Sequence, residues 1–196
     1  MAGVSDGEVI GAILGGDTHR YAELVGKYQS RAWKLAYGLV GNWEEAKDLS
    51  QNAFVKAYRN LARFRRSAQF STWLYRIVVN ECKDFFRSKA RRPSLVPLSP
   101  DPEAEDPIQF DLADPAGDPS DAAADQELAK RLGAAIGRLA MKQRTAFVLH
   151  HLNGMSLEEV SRAMGCRVGT VKAHLFRATE ALRRSLAPYL LMEVTR

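Results

Sequence analysis

The chain has 196 residues, 46% of them hydrophobic and 26% charged, with a formal net charge of +5. That is ordinary for one soluble domain or two small ones. No apolar run approaches the roughly 20 residues that span a bilayer, the N-terminal MAGVSDGEVIGAILGGD does not read as a signal peptide, and two distant cysteines, Cys82 and Cys166, make no disulfide framework. The expectation is a cytoplasmic protein without membrane insertion.

In chain order, the first predicted helix starts near Thr18, with Asp17 as its N-cap and Tyr21, Leu24, Val25 and Tyr28 on one face. Gly41-Asn42 breaks it. A second helix runs from about Trp43 to Leu61, with Ala46, Leu49, Ala53, Phe54, Ala57 and Leu61 as its apolar stripe. The loop RFRRSAQF follows, and Ser71 is expected to cap the next helix. Seven of the eight prolines then fall between Pro93 and Pro119. Residues 93–127 therefore read as a linker, with two short apolar islands at Leu95–Leu98 and Ile108–Leu112.

Beyond the linker, helices are predicted over Asp125–Leu139 and Lys142–Leu152, the latter ended by Asn153-Gly154. Ser156 and Glu159 make the S-x-x-E capping-box pattern, and Gly165 ends the short helix that follows. Another helix begins around Val168 to Thr170. A short helix, a glycine turn and a longer helix form the helix-turn-helix pattern. No alternating strand pattern is present, so the expected class is all-α: two small helical domains, 1–92 and 128–196, joined by an acidic, proline-rich linker.

Charge is distributed unevenly. Residues 93–127 hold ten acidic side chains and no lysine or arginine, leaving 28 basic against 13 acidic residues elsewhere. On a helix through STWLYRIVVNECKDFFRSKARR, Arg76, Asn80, Lys83 and Arg87 fall on one stripe with Trp73 at its edge. Leu74, Val78, Cys82 and Phe85 face the other way. Phe64, Arg65, Arg66, Ser67, Gln69 and Phe70 precede the helix. Aromatics stack on unpaired bases, cations follow phosphates, and amides or hydroxyls read base edges. Composition alone leaves two readings open, a surface for opened single-stranded DNA and an ordinary solvated face. In the second half, Val171, Leu175, Ala178 and Leu182 form a buried stripe. Thr170, Lys172, Ala173, Phe176 and Arg177 face outward, with Arg167 in the turn.

The run DLSQNAFVKAYRNLARFRRSAQFSTWLYRIVVNECKDFFR resembles region 2 of the extracytoplasmic-function (ECF) sigma factors of bacterial RNA polymerase. RLAMKQRTAFVLHHLNGMSLEEVSRAMGCRVGTVKAHLFRATEAL is similar to their region 4. The resemblance implies a protein that binds core polymerase and directs it to promoters. It implies that Asp48, Leu49, Gln51, Asn52, Phe54 and Val55 dock on the clamp helices of the largest catalytic subunit. It implies that the Phe64–Phe70 loop and the helix bearing Trp73 and Asn80 open the −10 element, and that Arg167–Arg177 reads the −35 element as duplex. The linker would run toward the RNA exit channel, and an anti-sigma factor is an expected partner.

Three places depart from the family pattern: Leu139-Ala140 where Leu-Pro is frequent, Arg167-Val168-Gly169-Thr170-Val171 where Pro-x-Gly-Thr-Val is frequent, and Lys172-Ala173-His174 where Arg-Ser-Arg is frequent. The last lies at the reading surface, so a usual −35 preference is not assumed. Gly-Thr-Val-Lys-x-His is also similar to LuxR-type regulators, which makes a stand-alone DNA-binding regulator the alternative. A LuxR-type response regulator would need an alternating strand–helix receiver, which the first half does not read as. No P-loop, GxSxG or i, i+4 histidine pair occurs, and adjacent His150 and His151 point about 100° apart. The expectation is therefore no enzyme, no cofactor and no metal.

Overall fold

A computed structural model describes residues 4–64, 69–91, 108, 110 and 123–193, the side chains of 123–127 and 190–193 excepted. Eight α-helices account for most of these residues: α1 (Asp6–Leu14), α2 (Tyr21–Val40), α3 (Trp43–Arg59), α4 (Phe70–Arg91), α5 (Ala123–Gly137), α6 (Met141–Phe147), α7 (Leu157–Met164) and α8 (Val168–Glu193). No strand occurs among the described residues.

The helix ends follow local chemistry. Gly41 closes α2 at φ 74°, a left-handed conformation that costs glycine little. Asn42 then caps α3, its Oδ1 accepting the Glu45 N–H at 3.0 Å. Ser156 and Glu159 complete the expected capping box on α7, and Gly165 ends that helix at φ 68°. Three sequence expectations need correction. Asp17 makes no side-chain cap; Thr18–Arg20 is a 3₁₀ turn before α2 begins at Tyr21. Ser71 is not the cap of α4, because the helix already includes Phe70. The predicted Lys142–Leu152 helix is α6 followed by a π-helical turn, Val148–Leu152, which brings the Asn153 N–H to the Val148 carbonyl at 3.0 Å.

Helix α1 was not anticipated. Its Ser5–Glu8 capping box repeats the S-x-x-E pattern that marks α7. Asp6 ties it to α2 by accepting from Lys27 Nζ at 2.6 Å and from the Tyr28 hydroxyl at 2.5 Å.

Helices α2, α3 and α4 pack on one another as a bundle. Leu24, Leu35 and Leu39 of α2 meet Ala46, Ala53 and Ala57 of α3 and Leu74, Val78 and Val79 of α4. In the second half, α8 is the spine against which α5, α6 and α7 pack. The two halves do not stand apart. Val148, Leu149, Met155, Val160, Ala163, Val171 and Leu175 join the same apolar cluster as the first bundle, and α7 lies on α4. A smaller cluster of Ala135, Ile136, Leu139, Ala178 and Leu182 joins α5 to α8.

Most of the linker lies outside the described residues, including the Leu95–Leu98 island. In the second island the Ile108 N–H donates to the Gly137 carbonyl at 3.1 Å, and the Phe110 ring sits over Gly133 and edge-on to Tyr37.

Candidate nucleic-acid interface

Helix α4 separates its faces as the sequence periodicity requires. Leu74, Val78 and Cys82 are buried, while Arg76, Asn80 and Arg87 are exposed and Lys83 is half-buried. The helix is 22 residues long, about 33 Å, so the stripe runs along much of one side of the bundle. Glu81, nearly buried, is paired with Lys56 of α3, which fixes the azimuth of α4 against its neighbour.

The aromatic residues divide between roles. Phe70 is 2% exposed, its ring 5.5 Å from that of Tyr28. It belongs to the core rather than to a base-stacking surface. Phe64 and Trp73 are half-buried, with ring centres 5.2 Å apart, and both touch Phe70. This cluster therefore pins both ends of the loop that joins α3 to α4. Packing accounts for one side of Trp73. Gln69 is exposed, whereas Arg65, Arg66 and Ser67 lie outside the described residues.

On α3, the six residues expected on a docking face split in two. Asp48, Gln51, Asn52 and Val55 are exposed and follow i, i+3, i+4, i+7 spacing. Leu49 and Phe54 are buried beneath them. The apolar stripe and the exposed face share a helix but not side chains. Val55 remains 48% exposed and is followed by exposed Tyr58. Sequence reasoning passed over Tyr58, although its i+3 spacing from Val55 marks the same side.

The helix-turn-helix has its expected geometry. Val171, Leu175, Ala178 and Leu182 are buried. Arg167, Thr170, Lys172, Ala173, Phe176 and Arg177 are all exposed. Phe176, at 69%, is the most exposed of the large apolar side chains among the described residues. Such a ring suits contact with a thymine methyl group, and its neighbours suit phosphates or base edges. Ser161 Oγ donates to the Cys166 carbonyl at 2.9 Å and secures the turn before α8.

Behind this motif, Arg144 is 1% exposed and donates to four carbonyls: Ile136 at 3.2 Å, Gly137 at 3.0 Å, Leu139 at 2.7 Å and Leu39 at 3.0 Å. It organises the turn between α5 and α6 and reaches the end of α2. Of the adjacent histidines at the π-helical turn, His150 is half-buried and His151 exposed. His150 Nδ1 lies 2.7 Å from the Met155 carbonyl, so that nitrogen carries the proton. His151 lies beside Phe147, and burial and neighbouring His150 hold its pKa below the usual value.

The chain matches the family model described as Sigma-70 region 2 over residues 24–92 and that described as Sigma-70, region 4 over residues 129–182. It is 36% identical to the RNA polymerase sigma-H factor of Pseudomonas aeruginosa, covering 94% of this chain and 95% of that one. It is 36% identical to the ECF sigma factor SigW of Bacillus subtilis, covering 87% and 91%, and 33% identical to the ECF sigma-E factor of Escherichia coli K12, covering 95% and 97%. Among solved structures, it is similar to CnrH in complex with the cytosolic domain of CnrY, with a TM-score of 0.66, 23% identity and coverage of 92% and 96%. It is also similar to the sigma factor RpoE bound to the anti-sigma factor NepR from Bartonella quintana, with a TM-score of 0.64, 23% identity and coverage of 85% and 96%. At that identity these structures speak for the fold.

Proposed function

This chain belongs to the ECF sigma factors of the sigma-70 family, and on that premise we propose how its surfaces divide the work of an alternative sigma factor. The region-2 match over residues 24–92 sets aside the LuxR-type alternative. Residues 1–92 act as the core-binding and −10 domain, 93–127 as the linker and 128–196 as the −35 domain. The exposed face of α3, Asp48, Gln51, Asn52 and Val55, docks on core polymerase. Leu49 and Phe54 hold that face in shape from beneath. The stripe Arg76, Asn80, Lys83 and Arg87, with Trp73 and Phe64 at its edge and Arg66, Ser67 and Gln69 in the loop, holds the opened −10 strand. Arg167, Thr170, Lys172, Ala173, Phe176 and Arg177 read the −35 duplex.

The observation that carries this reading is the clean division of α4: cations and an amide along one side, and Leu74, Val78 and Cys82 in the core on the other. Core packing accounts for the second side and leaves the first unexplained. Recognition of this kind needs no catalytic group, because the polymerase supplies the chemistry and the sigma factor supplies specificity. Binding is cytoplasmic, salt-dependent through phosphate contacts, and open to control by an anti-sigma factor.

The test is promoter opening by the reconstituted holoenzyme, read by the reactivity of unpaired thymines. Asn80→Ala and Trp73→Ala are expected to reduce opening while core binding persists. Equal loss of both activities in the exposed-site variant Asn80→Ala would refute the separation of roles.

A further inference from the structure

Gly133 and Gly137 lie four residues apart on one face of α5, where each weakens the helix relative to alanine. The space beside them is filled by the linker. A Cβ on Gly137 would lie 2.0 Å from the Ile108 carbonyl oxygen, and a Cβ on Gly133 would lie 3.2 Å from Phe110 Cβ. By contrast, Gly26 and Gly169 have nothing within 4 Å, and Gly38 of α2 meets the side chain of Val148. The Ile108 N–H donates to the Gly137 carbonyl at 3.1 Å. The Phe110 ring packs on the small cluster that joins α5 to α8. It also stands edge-on to Tyr37, with ring centres 5.6 Å apart, at the end of a row of rings continued by Trp33 and Trp43. We propose that this face of α5 is a peptide-docking groove and that residues 108–110 are its ligand in cis, held by the main chain at Ile108 and by an aromatic pocket at Phe110.

Extended segments are commonly recognised in this way, with main-chain hydrogen bonds for affinity and a pocket for one side chain for specificity. The glycines are what such a groove requires. Main chain as near as Ile108 is to Gly137 leaves no room for any side chain, and it cannot swing aside as the end of a flexible side chain does. The ligand is also the segment that composition singles out, an apolar island in an otherwise acidic, proline-rich stretch. It lies between the two family matches, at 24–92 and 129–182, and belongs to neither. Docking makes it part of the second half and leaves residues 92–107 as the free tether. Those 16 residues span at most about 58 Å, against about 120 Å for the whole 35-residue linker. The groove is built from α5 and Tyr37 and stands whether or not the chain binds polymerase.

The experiment uses the full chain and a fluorescein-labelled peptide of residues 104–114, AEDPIQFDLAD. Phe110→Ala should vacate the groove. Phe110→Ala combined with Gly137→Ala should block it, because the new methyl occupies the place of the Ile108 main chain while alanine favours the helix. With an effective concentration on the order of 1 mM for the tethered segment and a peptide affinity on the order of 0.1 mM, the cis ligand fills about nine-tenths of the grooves. Wild type should therefore bind the peptide about 10-fold more weakly than Phe110→Ala, and the double variant should not bind it. A peptide with alanine in place of phenylalanine keeps the same charge and should bind none of the three, which separates docking from attraction to a basic protein. Amide exchange followed by NMR reads the cis contact without any peptide: the Ile108 N–H should exchange about 10-fold more slowly in wild type than in Phe110→Ala. Equal exchange of Ile108 in those two chains overturns the proposal. So does equal binding of the two peptides, or binding to the double variant, at unchanged ellipticity, as tight as to Phe110→Ala.

Discussion

Replacing Arg144 by alanine should destabilise the second half more than any surface change in the chain. The guanidinium is buried and donates four hydrogen bonds of 2.7–3.2 Å to carbonyls at 136, 137, 139 and 39. A hydrogen bond to a charged group contributes about 1.5–3 kcal/mol, and a buried acceptor left without a donor costs about 1–3 kcal/mol. These terms are not additive, because one rigid fork makes all four. Losing a buried charged network of this kind costs about 3–5 kcal/mol. Arg144→Lys retains the charge but replaces the planar fork with a single ammonium, so a loss of about 2–4 kcal/mol is expected. Urea unfolding followed by ellipticity at 222 nm reads the difference. With a slope of about 2 kcal/mol per molar, Arg144→Ala should lower the midpoint by about 1.5–2.5 M. A shift below about 0.5 M would show that the four carbonyls find other donors and that Arg144 does not organise the α5–α6 turn.

The remaining predictions concern caps, burial and the cysteines. Ser156→Ala removes the side chain that accepts the Glu159 N–H at 3.2 Å, and should cost about 1 kcal/mol, or about 2–4 °C in melting temperature. A melting temperature within half a degree of wild type would contradict it. Cys82 is fully buried, and burial pushes its thiol up to about 12. Alkylation at pH 8 followed by peptide mapping should therefore modify half-buried Cys166 first and Cys82 only in denaturant. Fast native labelling of Cys82 would refute its burial. The same raised pKa has a stability consequence. The thiol is neutral in both states below about pH 9, its contribution is complete there, and it is lost as pH rises from about 9 toward 12, where only the unfolded thiol ionises. Denaturant midpoints of wild type and Cys82→Ala should converge over that interval.

Much of this architecture follows from short-range rules that act within a few residues. The S-x-x-E box at Ser156, the glycine exits at Gly41 and Gly165, and the stripes on α3 and α8 depend on local periodicity and capping, and all are present in the fold. The misplacements have distant causes. Phe70 reads as a loop aromatic because its partner Tyr28 is 42 residues away, and that contact draws it into α4 and the core. Leu49 and Phe54 carry both an apolar-stripe and a docking reading in the sequence; only packing decides that they lie beneath Asp48, Gln51, Asn52 and Val55. Asp17 is the exception with a local cause: the chain makes a 3₁₀ turn right after it, before α2 begins. The candidate DNA surfaces were legible because charge and apolar periodicity oppose each other on one helix. The join between the halves was not, because a glycine in a helix discloses its reason only when Val148 is seen beside it.

The most direct test of the central claim is co-elution of the purified chain with sigma-free bacterial core RNA polymerase on a sizing column, beside a Val55→Asp variant. Val55 is the exposed apolar residue of the proposed docking face, so the substitution places a charge there without disturbing the core. Wild type should move with the polymerase, and the variant, with unchanged ellipticity, should elute largely alone. A wild-type chain that elutes alone, while another sigma factor binds the same core preparation, would contradict the account.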